Sequence, residues 1–333
     1  ITIVNLLMIH FHFRFLLLSI NAFPFNSDEA VVGLMAKHIL DGENFIYFYG
    51  QSYMGSLDAY LVALGFLLFG EQVWVIRLIQ IILYGLVIIF SYFFVNVSFQ
   101  NKKIAFVSSL FLVFPAVNVV LYTTVSLGGY GEALLFGVIS FYAAALISKD
   151  CENNKKINSF YILIIGLLLG IGLYVNPISL TMIVSVVLFV SWKIMKSSNS
   201  KKEIFTQYII LLILFLFGSV LFWYSLILTN GTAVIREIGG SAVAIEIESY
   251  PQRAISHAIS LVLFGPTVIL GLRPPWGVNL MGKLFIPFVI LYWVLMMFLI
   301  LKKRKIFTIP TFMQWFCYGM IKLKRLLKLP GNF

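Results

Sequence analysis

The first candidate for chemistry is a pair of acidic residues near the start of the chain. Asp28 and Glu29 follow Asn26 and open a stretch to Leu40 with helical spacing of apolar side chains. The spacing predicts a capping box, in which Asn26 and Glu29 satisfy each other's backbone N–H groups, and glutamine at position 29 is expected to preserve it. Asp28 has two alternatives: first-turn acids complement the helix dipole, and a carboxylate close to apolar rings can act as a general base.

The composition identifies the kind of protein that must position these acids. The chain has 333 residues, of which 61% are hydrophobic and 11% charged, with a mean hydropathy of +0.98. Soluble proteins contain about 25% charged residues, so this is an integral membrane protein. Apolar runs at 74–97, 160–174 and 284–301 exclude a soluble enzyme with one anchor. Cys151 and Cys317 suggest neither a disulfide framework nor a thiolate metal site.

The charged residues are separated along the chain in a way that predicts the topology. Basic residues form four clusters after apolar runs: Lys102 and Lys103; Lys149, Lys155 and Lys156; Lys193, Lys196, Lys201 and Lys202; and Lys302, Lys303, Arg304 and Lys305. By the positive-inside rule these clusters are cytoplasmic. Most acidic residues lie in the intervening segments, which are therefore expected to face outward. The net charge of +11 is explained by topology, so we expect no nucleic-acid partner.

The length of the apolar runs and the positive-inside rule together predict an all-α polytopic bundle of about eight membrane helices. The predicted spans are 3–22, 74–98, 104–121, 131–148, 158–175, 178–195, 205–229 and 280–301. Residues 1–305 then form the membrane domain, with outer loops at 23–73 and 230–279. Residues 255–272 are expected to lie in the outer interface, and the basic tail 306–333 at the inner leaflet.

The first outer loop is far longer than a tight turn requires, and loops of about fifty residues are usually functional. After the helix that Asp28 opens, aromatic residues surround Gln51 and Tyr53, and a second helix is expected from about Ser56 to Phe69. Asp58 lies near the start of that helix. It either faces solvent on an amphipathic helix or contacts a substrate.

The residues of this loop also resemble a known family. The run NSDEAVVGLMAKHILDGENFIYFYGQSYMGSLDAYL, residues 26–61, resembles the first outer loop of the dolichyl-phosphate-mannose protein mannosyltransferase-like superfamily, glycosyltransferases of GT-C fold. The resemblance extends more weakly to residues 128–132, 172–177 and 271–276. These are all outer-face positions in the topology predicted from the lysines.

The resemblance implies an enzyme that takes one sugar from a polyprenyl-phosphate carrier and transfers it to a lipid, glycan or protein hydroxyl on the non-cytoplasmic face. The tryptophan-rich signature of oligosaccharyltransferases is absent, so we expect a single sugar rather than a preassembled glycan. For Asp28 it implies the role of general base. A phosphate leaving group needs only one such base, and no glycine-rich nucleotide motif is present.

Eight further residues are expected to bind substrate: Glu29, Gln51, Tyr53, Asp58, Tyr130, Glu132, Arg273 and Arg14. Glu132 follows Tyr130 in a glycine-rich turn and has the alternative of an ordinary first-turn acid. Arg273 suits the carrier phosphate or anchors an outer loop. Arg14, deep in the first span, is expected to contact phosphate or a structural partner such as an acid. No cofactor is indicated, and a divalent metal held by outer carboxylates stays open.

Two other function classes compete with the enzyme. A transporter or lipid flippase should place ionisable groups near the membrane midplane, whereas here the acids gather on the outer face and only Arg14 is deep. A non-catalytic scaffold is the third class. It follows from the expectation that the chain, which ends at Phe333, is either a fragment or a short variant of the family.

Overall fold

The computed structural model describes residues 2–197, 200–228, 265–268 and 286–302. The chain divides into two compact units, Ile1–Glu246 and Ile247–Phe333. The predicted outer loop 230–279, its interfacial helix and the tail from 306 lie largely or wholly outside the described residues, as does Arg273. Those expectations therefore stay predictions.

The first unit is a helical bundle with one small hairpin. Its helices are α1 (Thr2–Ser19), α2 (Ser27–Leu40), α3 (Leu57–Phe69), α4 (Val73–Phe99), α5 (Lys102–Val113), α6 (Val117–Tyr122), α7 (Tyr130–Glu152), α8 (Ser159–Val175), α9 (Leu180–Lys196), α10 (Lys201–Gly218) and α11 (Val220–Leu228). A short 3-10 helix, Pro177–Ser179, precedes α9. The described residues of the second unit form a helical turn at 265–268 and the helix α12 (Ile286–Lys302).

Local sequence signals explain where several helices begin. The side chains of Asn26, Asn101 and Asn158 each accept backbone N–H groups of the helix that follows. Ser200 and Glu203 form a complete capping box at the start of α10. These caps satisfy donors that a helix start otherwise leaves unpaired.

Three described helices are each long and apolar enough to cross a bilayer, namely Val73–Phe99, Tyr130–Glu152 and Pro177–Lys196. Taken together, α10 and α11 are also long and apolar enough to cross a bilayer, but the pair bends by 59°. Shorter apolar helices occur at Ile3–Ser19, Leu57–Phe69, Ser159–Val175 and Pro287–Phe298. The chain is an all-α integral membrane protein, and the count of about eight spans stays a prediction.

Two predicted spans are not continuous helices, which corrects the sequence interpretation. The span 104–121 is split into α5 and α6 because Pro115 lacks the N–H that would continue the helix. The span 205–229 bends after Gly218, where a Cβ atom would collide with the backbone of α8. The Ser219 hydroxyl donates to the Phe215 carbonyl at 2.6 Å, a local bond that often bends helices.

Two of the basic segments meet at one end of the first unit. Lys156 pairs with Glu203 at 2.7 Å and Lys193 with Glu152 at 3.3 Å, which joins the loops around residues 150 and 200. At the other end of α8, the Asn176 side chain donates to the Gly128 carbonyl at 3.1 Å. The acidic first loop packs at this second end, because Tyr174 of α8 donates to the Ile46 carbonyl at 2.6 Å.

The first loop has its own core rather than lying loosely on the bundle. Strands β1 (Tyr47–Phe48) and β2 (Gln51–Gly55) form an antiparallel hairpin between α2 and α3. Its buried side chains are Val32, Met35, Ala36, Phe48, Met54, Ala59, Val62, Ala63 and Phe66, together with Val75 and Ile76 of α4. This packing holds the start of α2 in a defined place relative to α4.

Candidate active site

Asp28 lies in the first turn of α2 with its carboxylate half-buried. The Asn26 side chain accepts the Glu29 backbone N–H at 2.9 Å and fixes the start of the helix. Within the described part of the chain, no hydrogen bond or ion pair engages the Asp28 carboxylate. Its charge acts on the phenol groups of Tyr122 and Tyr130, whose rings lie 5.1 Å apart. The site therefore presents a half-buried carboxylate within electrostatic reach of two half-buried tyrosines.

Glu29, the next residue of α2, is fully buried. Its Oε1 accepts the Nε–H of Arg77 at 2.8 Å, and its Oε2 accepts an Nη2–H at 2.9 Å. The Arg77 guanidinium also donates to the carbonyls of Phe23 and Pro24 at 3.2 and 3.3 Å. A planar, two-point contact of this kind fixes orientation as well as distance. The ion pair therefore ties the start of α2, where Asp28 lies, to α4.

The predicted capping box at Asn26 is thus only half correct. Asn26 does cap α2, but the Glu29 side chain binds Arg77 instead of returning to the Asn26 N–H. The reason is that a buried guanidinium stabilises a carboxylate far more than one backbone N–H at a helix start. The expectation that glutamine at position 29 would preserve the capping box is therefore wrong, because no such box forms.

A glycine-rich turn, residues 128–131, brings Tyr130 to the site. Gly128 and Gly129 have φ values of +83° and +74°, which side-chain-bearing residues rarely adopt. A Cβ atom at Gly129 would lie 2.6 Å from Val175 Cγ1 and 2.9 Å from its carbonyl oxygen. The turn thus packs directly on the end of α8, and only glycine fits.

Gly129→Ala is expected to destabilise the protein and to lower its activity, because the methyl group adds a collision to the backbone strain. Gly42→Ala is the matched control, since Gly42 also has a positive φ of +96° but no atom within 4 Å of the added Cβ. Thermal unfolding in detergent compares the two variants. Equal midpoints would show that the contact with Val175 has no energetic weight.

Asp58 lies close to this turn but inside the protein. It is 1% exposed, so the alternative of a solvent-facing side chain is wrong. Its Oδ1 accepts the Gln80 side-chain N–H at 2.9 Å, and its Oδ2 accepts the Ser126 hydroxyl. Burial raises the pKa of the Asp58 carboxyl group, and the hydrogen bonds from Ser126 and Gln80 oppose that rise. Asp58 therefore connects α3 to α4 and to the segment before the glycine turn.

With this geometry in place, comparison with known proteins identifies the family. A family model described as dolichyl-phosphate-mannose-protein mannosyltransferase matches residues 56–223, half of the chain. The chain belongs to this family. It is therefore a membrane glycosyltransferase, and the predicted family is confirmed. Neither the curated proteins nor the solved structures give a match.

The matched region of this mannosyltransferase-family chain includes most of the site but begins after Asp28. It contains Asp58, Arg77, Tyr130 and Glu132, whereas Asp28 and Glu29 precede it. The ion pair between Glu29 and Arg77 and the proximity of Asp28 to Tyr130 connect the two parts in space. The structure thus joins the acidic pair to the part of the chain that carries the family match.

Arg14 is held by protein groups. It is fully buried, donates to the Val120 carbonyl and the Thr123 hydroxyl at 2.8 Å each, and also donates to Thr124. Its guanidinium carbon lies 4.8 Å from the centre of the Tyr84 ring. Among the described residues its partners are hydroxyls, a carbonyl and a ring rather than an acid. Of its two predicted roles, the structure provides the structural partner.

The remaining predicted site residues fall into three places. Tyr53 donates to the Gln51 side chain at 2.8 Å on the hairpin, where both are half-buried. Glu132 is completely buried in the first turn of α7. Arg273 lies outside the described residues. In the part of the chain that the structure describes, no group of three or more His, Cys, Asp or Glu side chains is placed to hold a metal ion.

Arg77 is the main residue of the site that sequence reasoning missed. It lies in α4, one turn after the start of a helix long enough to span a membrane. A charged residue at such a position is a functional or structural signal by itself. Its acidic partner is 48 positions away in sequence, so the signal identifies Arg77 without identifying Glu29.

Proposed function

We propose that this membrane glycosyltransferase transfers a single sugar from a polyprenyl-phosphate carrier to a hydroxyl group of a lipid, glycan or protein acceptor. The observation that carries the proposal is the half-buried Asp28 carboxylate, which has no hydrogen-bond or ion-pair partner among the described residues and acts electrostatically on Tyr122 and Tyr130. The carboxylate of the neighbouring Glu29 forms an ion pair with Arg77. Glu29 therefore stabilises the fold, and in this proposal Asp28 contacts the substrate.

In this mechanism Asp28 accepts the proton of the acceptor hydroxyl as that oxygen attacks the anomeric carbon. The bond from acceptor oxygen to carbon forms while the bond from carbon to the carrier's phosphate oxygen breaks. The polyprenyl phosphate leaves with the electron pair, and the proton ends on Asp28. Because phosphate is already a good leaving group, the protein needs one positioned base for this step.

The other roles follow from where the side chains lie. Tyr130 and the hairpin residues Gln51 and Tyr53 are half-buried polar groups at the same end of the first unit, and we assign them to binding the sugar or acceptor. The phosphate contact is assigned to Arg273, since both terminal nitrogens of Arg14 already donate to protein groups. Glu29, Asp58 and Glu132 are buried and do not touch substrate in this proposal.

Mass spectrometry of polyprenyl-phosphate sugars and of glycans tests the function in cells with and without the gene. Loss of the gene is expected to increase one polyprenyl-phosphate sugar and to remove one sugar from one class of glycan, lipid or protein. Restoring the gene with Asp28→Asn should not reverse either change. If the donor and every glycan were unchanged by deletion, the proposal would be wrong.

We further propose that the chain is multi-pass and that the first loop is outside, because only this arrangement puts the lysine clusters in the cytoplasm. A cysteine replacing the exposed Glu43, in a background without Cys151 and Cys317, is expected to react with an impermeant reagent added outside intact cells. The control, Lys155→Cys, should react only after the membrane is opened. The reverse labelling pattern would exclude the proposed sidedness.

A further inference from the structure

Glu132 is a buried acidic side chain for which α7 supplies no hydrogen bond. The side chain is 0% exposed, and neither carboxyl oxygen accepts a hydrogen bond from any group in the described part of the chain. An ionised carboxylate that is buried without hydrogen bonds is strongly destabilising, because nothing replaces the water that it loses. Buried polar groups without partners are rare, so this one requires a specific explanation.

The neighbour that offers an explanation is a second acid. The Asp58 carboxyl group is a side-chain neighbour of Glu132 and is equally buried. Gln80, which donates to Asp58, also lies against Gly131, the residue before Glu132. No lysine, arginine or histidine among the described residues forms an ion pair with either acid; Arg77, one turn before Gln80 on α4, is paired with Glu29. Two adjacent carboxylates cannot both be ionised at low dielectric without such a cation.

We propose that Asp58 and Glu132 share one proton as a carboxylic acid–carboxylate pair, in which Glu132 carries the proton and donates to ionised Asp58, and that this pair positions Tyr130 beside Asp28. The assignment to Glu132 follows from the other donors. Gln80 and Ser126 both donate to Asp58, as ionised oxygens prefer, whereas no group among the described residues donates to Glu132 in hydrogen-bond geometry.

A metal cation between the two acids is disfavoured by the same hydrogen bonds. Each Asp58 oxygen already faces a donor hydrogen, one from Gln80 and one from Ser126. A cation at either oxygen would meet these donors with like charge. A proton needs only one lone pair and no further ligands, so it fits the geometry with nothing displaced.

The pair holds the glycine turn from both sides. Ser126 precedes the turn and Glu132 follows it, and both bind Asp58 on α3 in this proposal. The Gly129 N–H is a further donor near Asp58, and a Cβ at Gly131 would collide with the Gln80 side chain. Tyr130 lies between these fixed points, so its place next to Asp28 depends on the pair. This last step rests on the proposed function of Asp28, whereas the shared proton does not.

Reciprocal amide substitutions test which acid carries the proton. Glu132→Gln supplies an N–H in place of the O–H and is expected to leave folding and the transfer rate close to wild type. Glu132→Ala removes the donor and should lower kcat by about 10²-fold through misplacement of Tyr130, so that glutamine rescues what alanine loses. Asp58→Asn leaves one acceptor oxygen for the Gln80 and Ser126 donors and is expected to lower both stability and kcat.

Any other outcome for Glu132→Gln and Asp58→Asn would overturn the assignment of the proton to Glu132. Tolerance of Asp58→Asn with loss in Glu132→Gln would put the proton on Asp58. Loss of kcat in both folded variants would mean that both charges are needed, and full activity in both would mean that neither is.

Infrared difference spectroscopy between wild type and Glu132→Gln detects the proton on the Glu132 carboxyl group independently of activity. Purified wild-type protein in detergent at neutral pH is expected to show the C=O band of a protonated, buried carboxylic acid, and Glu132→Gln should lose it. Glu43→Gln, at an exposed acid, is the control and should keep the band. A wild-type spectrum without it would overturn the shared proton even if Asp28 proved to be the base. A band with an inactive wild type would instead contradict the proposed function alone.

Discussion

Replacing Asp28 with asparagine is expected to lower kcat for sugar transfer by about 10²- to 10⁴-fold, the usual contribution of a general base. The amide keeps the shape of the side chain and loses its basicity. Because the start of α2 is fixed by Asn26 and by the Glu29–Arg77 ion pair, the variant should fold normally and bind the donor with unchanged apparent affinity. Initial rates across a donor titration separate kcat from KM.

The control for Asp28→Asn is Asp41→Asn, which removes one negative charge at the other end of the same helix. Asp41 is exposed at the C-cap of α2, so this variant should transfer sugar at the wild-type rate. If Asp28→Asn kept near-normal kcat, or if both variants lost activity equally, the general-base assignment would fail. A change in KM alone would make Asp28 a binding group instead.

Loss of the Glu29–Arg77 ion pair is expected to cause the largest change in stability. The side chains are 0% and 8% exposed, and removing one partner leaves an unpaired buried charge, which costs about 3–5 kcal/mol. Glu29→Met should therefore unfold at a clearly lower temperature than wild type in detergent. Glu29→Gln should also be destabilised, because a neutral amide cannot balance the guanidinium.

The double variant Glu29→Met, Arg77→Met distinguishes the cost of an unpaired charge from the loss of a contact. With both charges gone, no ion is left buried, so the double variant is expected to be more stable than Glu29→Met alone. Additive destabilisation in the double variant would show that the two residues act independently. In that case the ion pair would not be what fixes the start of α2.

The parts of the site that sequence could predict are those set by neighbouring residues. Asn26 correctly marked the start of α2, and the apolar spacing after Ser56 correctly predicted α3. Local rules of capping and helix dipole suffice for these elements. The hairpin around Tyr47–Gly55 was not predicted, because its strands are short and gain their stability from packing between α2 and α3.

The parts that sequence could not predict depend on contacts between distant positions. The sequence assigned Glu29 to a capping box with Asn26, whereas the fold pairs it with Arg77. It left Asp58 either facing solvent or contacting a substrate, whereas the fold buries it against Gln80 and Ser126. A single sequence shows the presence of such groups without their partners. Pro115 and Gly218 are sequence signals for the two helix breaks, but the high hydropathy around them favoured continuous spans.

The fate of a labelled sugar tests the central claim most directly. Purified protein in nanodiscs is given a polyprenyl-phosphate donor with a radiolabelled sugar, and a membrane extract supplies the acceptor. We predict that wild type moves label from the carrier to the acceptor fraction with time, and that Asp28→Asn leaves it on the carrier although the donor still binds. Label that stays on the carrier with wild type, or leaves it equally fast with Asp28→Asn, would contradict the account.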